Sequence, residues 1–223
     1  MKYIIVIGIV LGGFISGFAQ DLKQALTGYE DWLKNNQEYS VRVEVRTEKN
    51  GNSELYQVIQ MFKEEDNMLV INDGTYYLST PQYTLTCNER DQTMSVKRYA
   101  EDAMKIKEAM GYDVPIESAY TVTSDVLESG VWYTVVPRET TSKYKAMKYF
   151  FNNSGRLEKV IYELDFLQSN GFSEIVITYA HENFVENKDE LNVGHYVKIK
   201  RNHIQVQEKY NGYQLYNNIE KAE

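Results

Sequence analysis

The chain has 223 residues, a formal net charge of −8 at neutral pH, three histidines and one cysteine. The acidic balance argues against nucleic acid as a partner, and a single cysteine excludes an internal disulfide framework. Hydrophobic residues make up 43% of the chain, so we expect a buried apolar core to hold the fold.

The first 19 residues have the pattern of a secretory signal peptide. Lys2 supplies the positive start, and the run from Tyr3 to Leu11 is apolar. Gly17 and Ala19 suit the small-residue positions of a cleavage site. An uncleaved anchor is the alternative, but the apolar run is short and rich in glycine. We expect residues 1–19 to be removed and residues 20–223 to form one exported domain without a membrane span, periplasmic or, alternatively, extracellular.

The first predicted element of the mature chain is an amphipathic helix in DLKQALTGYEDWLKNN, residues 21–36. Apolar residues recur there at helical spacing, Asp21 suits the N-cap, and the two asparagines end the pattern. The apolar stripe consists of Leu22, Ala25, Leu26, Tyr29 and Leu33.

Strands follow the helix. The stretch YSVRVEVRT alternates apolar and polar residues, which is typical of a half-buried strand. Asn50-Gly51 then marks a hairpin turn. Further short strands are predicted in ELYQVIQMF, NMLVI, TYYLS, QYTLTC and TMSV.

The spacing becomes helical again in KRYAEDAMKIKEAMG, residues 97–111, which predicts a second helix. The chain then returns to strands in AYTVTSDVL, VWYTVVP, YKAMKYFF, LEKVIYELDF, FSEIVITYA, HYVKIK, HIQVQE and YQLYN. The predicted fold class is α+β. We expect a strongly curved antiparallel sheet or incomplete β-barrel of about ten strands, with two helices packed on its concave face.

Cys87 is the sharpest candidate for catalysis. Tyr83, Leu85 and Cys87 share one face of an alternating strand, which favours a small core residue. A reactive thiol needs a cationic setting, and Arg90 is the one nearby cation in the sequence. A free thiol and an intermolecular disulfide stay open as alternatives.

No other residue pattern indicates catalysis or metal binding. The stretch HENFV at His181 has Val185 where a zinc-binding helix needs its second histidine, and no ligand spacing links His195 or His203 to it. The chain lacks the G-x-S-x-G elbow of serine hydrolases and the phosphate-binding glycine motifs. We therefore expect a protein that is not an enzyme and that needs no cofactor or metal.

One strand is apolar on both faces, which indicates that something covers each face. Its apolar residues alternate between the two sides, and a second covered surface can line a cavity. One face carries Tyr56, Val58 and Phe62, and the other carries Leu55, Ile59 and Met61.

The order of elements resembles the periplasmic lipoprotein-carrier family, LolA-like proteins that share their fold with LolB-like receptors. In that family a helix precedes the first strand, and a later strand leads into a D-G-x-x-aromatic turn followed by proline. Those positions are occupied here by Asp73, Gly74, Tyr76, Tyr77 and Pro81. The late stretch from YKAMKYFF to AHENF resembles the family's last strands, whereas the family's arginine after the second strand has no counterpart in KEEDN.

The resemblance implies a half-barrel that binds lipid or lipoprotein acyl chains in a cavity between sheet and helices. Our candidate lining residues are Val43, Val58, Met61, Tyr77 and Met104. The alternative is an interaction module for another envelope protein, built on the same fold without lipid cargo, for which tyrosines in YNGYQLYNN are candidates.

Overall fold

The computed structural model describes residues 21–98, 119–138, 144–165, 171–185, 188–200 and 203–219. The described part contains one α-helix, α1, at residues 21–35, as the sequence predicts. The second predicted helix lies mostly outside the described residues, and its first two residues are the end of a strand. The predicted signal peptide also lies outside them. Within the described residues, no helix is long and apolar enough to cross a membrane.

The remaining structure is almost entirely strand, with short 3₁₀ turns at Lys188–Leu191, Val193–His195 and Glu208–Tyr210. The strands are β1 Glu38–Lys49, β2 Asn52–Glu64, β3 Asn67–Asn72, β4 Thr75–Ser79, β5 Tyr83–Asn88, β6 Thr93–Arg98, β7 Tyr120–Leu127, β8 Gly130–Pro137, β9 Tyr144–Asn152, β10 Leu157–Leu164, β11 Phe172–Glu182, β12 Val197–Lys200, β13 His203–Val206 and β14 Gln214–Asn218.

Twelve strands are hydrogen-bonded in the order β14-β6-β5-β4-β3-β2-β1-β11-β10-β9-β8-β7. The order has two ends, so the described strands do not form a closed barrel, in agreement with the expected incomplete one. Three details differ from the prediction. The main sheet has twelve described strands instead of about ten. β12 and β13 form a separate two-stranded sheet, and β14 pairs with β6 in parallel instead of extending an antiparallel meander.

Turn chemistry explains why neighbouring strands pair. Asn50-Gly51 and Asp73-Gly74 each have two consecutive positive φ angles, which the tight hairpin turns at these positions require. Gly130 begins β8 with φ +154°, and a Cβ there would overlap the carbonyl oxygen of Phe151. Glycine is therefore needed at this point for the backbones of β8 and β9 to approach each other.

The chain divides into two compact units. The first comprises Met1–Asn35, Glu44–Tyr56 and Tyr112–Tyr179. Cross-strand pairing brings Tyr149, Val160 and Ile177 into one row, and all three are buried. α1 contributes its predicted stripe, in which Leu22, Leu26, Tyr29 and Leu33 are buried. The Arg156 guanidinium, in the β9–β10 turn, lies 4.5 Å from the centre of the Trp32 ring on α1.

The second unit comprises Asn36–Val43, Gln57–Gly111 and Ala180–Glu223. Its sheet presents a continuous apolar row across five strands, set by the pairing register. A cover made from the chain after residue 182 packs on this row. The row is Phe62, Leu69, Leu78, Leu85 and Val96, and the buried residues of the cover are Val185, Leu191, Tyr196, Val197, Tyr210 and Ile219.

Lys188 ties this cover to the first two strands of the chain. Its ammonium lies 3.1 Å from a Glu38 carboxylate oxygen and 2.8 Å from one of Glu64. The backbone N–H of Val185 also donates to Glu38, at 3.3 Å. The ion pair with Lys188, helped by that N–H, lowers the pKa of the Glu38 carboxyl, and both carboxylates raise the pKa of Lys188.

Candidate functional site

A pocket of about 380 Å³ lies in the second unit. It is bordered by the start of β3, by the β4–β5 loop and by the cover, where the chain passes from one 3₁₀ turn to the next and into β12. The lining residues are Asn67, Thr80, Pro81, Gln82, Tyr83, Leu191, Asn192, Val193, Gly194, Val197 and Ile199.

One wall of the pocket is apolar and belongs to the core. Leu191 and Val197 are each 1% exposed, and Tyr83, Val193 and Ile199 pack against the same core while remaining partly accessible. The wall is formed by side chains that the fold already holds in place. An apolar group entering the pocket therefore meets a surface that needs little rearrangement.

The polar lining groups differ in how much hydrogen-bonding capacity they keep. The Thr80 hydroxyl donates to the Tyr83 carbonyl and accepts from the Tyr83 N–H, each at 3.1 Å, which fixes the β4–β5 loop. The Asn192 side-chain oxygen accepts from the Gly194 N–H at 2.8 Å and so caps the turn Val193–His195. Because its oxygen is used, the Asn192 amide presents mainly its NH₂ donors to a ligand.

No lining residue carries a formal charge at neutral pH. Asn67 follows Glu65 and Asp66 directly, and Leu191 follows Asp189 and Glu190 in the same way. The lysines of β12 alternate with Val197 and Ile199, so Lys198 and Lys200 point to the opposite face of the strand. The pocket is thus uncharged inside and has acidic neighbours along the chain.

A cluster of tyrosines joins the cover to the sheet: Tyr196 and Tyr210 belong to the cover, and Tyr76 lies on β4. The Tyr196 ring stacks on Tyr210 at 5.6 Å between centroids and contacts Tyr76 at 6.3 Å. Burial raises the pKa of all three phenols, that of Tyr76 to about 12. No hydrogen-bond partner of the buried Tyr196 hydroxyl is found in the described part of the chain.

Cys87 belongs to this core. The side chain is fully buried, and burial, assisted by Glu89, raises the pKa of the thiol to about 11. A neutral, inaccessible thiol is a poor nucleophile. The interpretation of Cys87 as a small core residue is confirmed.

The His195 imidazole lies beside a cation. Its Nε2 lies against the ammonium of Lys209, which also sits 4.6 Å from the Tyr210 ring centre. Burial, and then the Lys209 charge, lower the pKa of the imidazole. Across the described residues no group of three or more His, Cys, Asp or Glu side chains is placed to hold a metal ion.

The sequence-predicted lining residues occupy different environments. Val43 and Met61 are buried, Val58 is half-buried and Tyr77 is 41% exposed. Met104 lies outside the described residues. None of the four described ones borders the pocket, so their role in a cavity between sheet and helices stays a prediction.

Pairing register separates these residues by face. Met61 pairs with Val70 and Val70 with Tyr77, so Met61 and Tyr77 lie on the same side of the sheet. That side is opposite to the apolar row beneath the cover, since successive strand residues alternate. Val58 falls in the alternation on the side of the cover. Any single ligand contacting one face can therefore reach Met61 and Tyr77 together, but not Val58 with them.

Sequence reasoning missed the pocket because the segment that forms it is irregular. The prediction took HYVKIK as a strand, whereas the strand begins only at Val197 and is preceded by two 3₁₀ turns. The available signal was Asn192-Val193-Gly194, in which an asparagine side chain can bond the backbone two residues further on. Such a turn interrupts alternation and leaves space beside it.

No protein-family model matches the chain, and no curated protein sequence matches it. Among solved structures, it is similar to a LolA superfamily protein from Nitrosomonas europaea at 11% identity and TM-score 0.31, over 72% of this chain and 92% of that one. It is also similar to the lipoprotein LppX of Mycobacterium tuberculosis at 13% identity and TM-score 0.38, over 74% and 94%. A third match, at 11% identity and TM-score 0.39, is the Pseudomonas aeruginosa MucA/MucB complex, over 81% of this chain and 63% of that one. The solved structures similar to this chain thus include a member of the LolA superfamily.

Proposed function

We propose that this protein is an exported envelope protein that binds an apolar ligand, a lipid or lipoprotein acyl chain, and acts as a carrier without catalysis. The observation that supports the proposal is the pocket of about 380 Å³ with a preformed apolar wall. Its volume falls in the range of about 300–1,000 Å³ typical of small-molecule sites. The proposal rests on this pocket and not on the likeness to solved structures.

The driving force for binding is the removal of apolar surface from water, worth roughly 25 cal/mol per Å². Leu191, Val193, Val197 and Ile199 offer such surface without hydrogen-bonding demands of their own. An alkyl chain has no hydrogen-bonding groups that lose water on contact with this wall, whereas a sugar or a peptide backbone would leave polar groups unpaired against it.

The proposal is tested by binding of an uncharged fluorescent apolar probe to the purified chain, with native mass spectrometry to detect a lipid that copurifies. Ile199→Phe fills the pocket and is expected to weaken probe binding by about tenfold or more. The matched control is Ile204→Phe, which enlarges the cross-strand partner of Ile199 on β13 without bordering the pocket. Unchanged binding in Ile199→Phe, or equal loss in both variants, would remove the pocket as the site.

The sequence-predicted cavity is tested in the same assay. Met61→Ser and Tyr77→Ser change the face of the sheet opposite to the cover. Val58→Ser is the control, because Val58 lies on the face that the cover packs against. If probe binding falls only in Met61→Ser and Tyr77→Ser, the ligand occupies the predicted cavity and not the pocket. If no variant changes binding and no lipid copurifies, the carrier proposal fails.

A second candidate function is an interaction module for another envelope protein. It is favoured by β14, the end strand of the described sheet, whose central Tyr216 is 46% exposed. Tyr213 is less suited to an interface because it packs edge-on against Tyr210 at 5.2 Å. Cross-linking in the envelope followed by pulldown should lose a specific partner in Tyr216→Ala, with probe binding unchanged. A partner retained by that variant contradicts this role for β14.

A further inference from the structure

The strongest chemical feature of the pocket is that it combines an apolar wall with amide donors and no charge. We infer that the pocket selects an uncharged carbonyl-bearing acyl ligand, an ester or amide of a fatty acid, over a free fatty-acid anion. This inference rests on the proposed function and names the head group that the same pocket accepts.

Asn192 offers a hydrogen-bond donor to a ligand in the pocket. Its side-chain oxygen already accepts the Gly194 N–H at 2.8 Å, which fixes the amide orientation and leaves the NH₂ group available. Asn67 and Gln82 add two further side-chain amides to the polar part of the lining. A ligand carbonyl can accept from such groups, whereas an alkyl chain without a carbonyl leaves the donors to water.

The charges in and around the lining disfavour a carboxylate. A carboxylate placed beside the pocket finds no cation among the eleven lining residues. Asp66 and Asp189 lie close in sequence to the lining, and Lys188 is already shared between Glu38 and Glu64. Moving an anion out of water toward such a site is unfavourable unless a cation compensates it.

Exposure of the rim limits the size of the effect. Asn192 and Gln82 are exposed, while Leu191 and Val197 below them are buried. The head group therefore sits at the rim and the alkyl chain against the wall. Selectivity then comes from one hydrogen bond and from the missing cation, so we expect about a tenfold preference and not an absolute one.

The test is displacement of the uncharged fluorescent probe from the purified chain at pH 7.5 by four twelve-carbon competitors, each kept below its micelle concentration. They are monododecanoylglycerol, dodecanoate, dodecanol and dodecyltrimethylammonium. We expect monododecanoylglycerol to displace the probe at a concentration about tenfold lower than dodecanoate does. The inference is overturned if these two displace the probe equally well, or if dodecyltrimethylammonium displaces it at a lower concentration than monododecanoylglycerol does. Either result leaves the proposed function standing. Failure of the probe and of all four competitors to bind overturns the proposed function itself.

Two variants test the assigned groups. Gln82→Lys adds a cation to the rim and should move the preference several-fold toward dodecanoate. The control Gln214→Lys adds the same charge on the exposed strand β14, outside the pocket lining, and should leave the preference unchanged. Asn192→Asp keeps the oxygen that caps the turn but removes the donor. It should weaken methyl dodecanoate, an ester without a hydroxyl, about tenfold and spare dodecanol, whose hydroxyl can donate to the new carboxylate. An unchanged ester-to-carboxylate ratio in Gln82→Lys, or equal loss of ester and alcohol in Asn192→Asp, contradicts the assignment.

Discussion

The two units cover similar antiparallel strands in different ways. In the first unit a regular element, α1, supplies four buried side chains at helical spacing. In the second unit an irregular cover of 3₁₀ turns and the β12–β13 hairpin supplies the buried side chains. A helix presents a stripe whose spacing repeats along its length. A cover made of short turns has no such repeat, and the described pocket lies beside it.

The form of a cover, and not only its apolar content, decides whether a pocket remains beside it. Both covers bury leucines almost completely, Leu26 to 2% exposure and Leu191 to 1%. Both are also held by a cation, Arg156 over Trp32 in the first unit and Lys188 between two carboxylates in the second. The backbones of the two covers differ, and the irregular one leaves a pocket beside it.

The largest effect is expected at Gly130, in the strand framework of the first unit. Gly130→Ala places a Cβ against the Phe151 carbonyl and 2.9 Å from Asn152 Cα, so we expect a loss of about 3 kcal/mol or more in the free energy of unfolding. Gly155→Ala is the control: its φ of +72° is strained for alanine but its Cβ meets nothing within 4 Å, which costs about 1 kcal/mol. Urea unfolding compares them, and equal losses would show that the close approach at Gly130 is not limiting.

Leucine truncation in each cover compares the two directly. Leu26→Ala leaves a cavity beneath α1 and should cost about 3 kcal/mol. Leu191→Ala should cost about 2 kcal/mol, because its site already borders the pocket and gives up fewer packing contacts. Unfolding curves and probe binding are measured together. A larger loss for Leu191→Ala than for Leu26→Ala would break the distinction between a close-packed and a loosely packed cover.

Cys87 reports how dry the core beneath the irregular cover is. With its pKa raised from 9.0 to about 11, the thiolate fraction at pH 8 falls about a hundredfold, so alkylation by iodoacetamide should be slow until the chain unfolds. The fold favours the neutral thiol. Its contribution to the free energy of unfolding is therefore complete below pH 9 and is lost as the pH rises from 9 to 11. Cys87→Ala should lack that part of the alkaline loss. Rapid alkylation of the native chain would indicate a core open to solvent.

The smallest effects are expected from the two cations. Arg156→Met removes the contact with Trp32 and should cost about 0.5–1 kcal/mol at any pH where the fold persists. Lys188→Met should destabilise slightly near neutral pH. The pKa of the Glu38 carboxyl lies below 4.5 in the fold. The ion pair between Glu38 and Lys188 therefore contributes to the free energy of unfolding above pH 4.5, and this contribution fades as the pH falls further. Stability measured from pH 7 to 3 should show the difference from wild type shrinking for Lys188→Met alone.

Regular elements were predictable from the sequence because their spacing repeats. The stripe on α1 and the alternation in β1 to β11 appear where the apolar pattern places them, and Asn50-Gly51 forms the expected turn. The local pattern determines these elements because the free energy of burying or exposing each side chain depends on its own position in the repeat.

Pairing at long range and irregular turns were not predictable in the same way. The parallel partner of β14 depends on which sheet edge is open after the cover has crossed the core, and YQLYN carries no signal of it. The pocket depends on Asn192 holding Gly194, a contact that competes with strand alternation. The candidate lining residues were chosen as apolar strand positions, and apolar character alone does not say which face or which space a side chain meets.

The pairing of β14 with β6 also has a consequence for how the chain folds. A hydrogen bond from Asn218 to Ser95 spans 123 residues, whereas the first unit has all of its residues once Tyr179 has been made. The first unit contains a contact of similar separation, because the Ser173 hydroxyl donates to the Glu48 carbonyl across 125 residues, and such contacts form slowly in both units. The units differ in when their residues become available: during synthesis from the N-terminus, the first unit can assemble while the second still waits for its last strand. The pocket is then among the later features of the molecule to appear, and the edge of β6 stays open to other chains until β14 pairs with it.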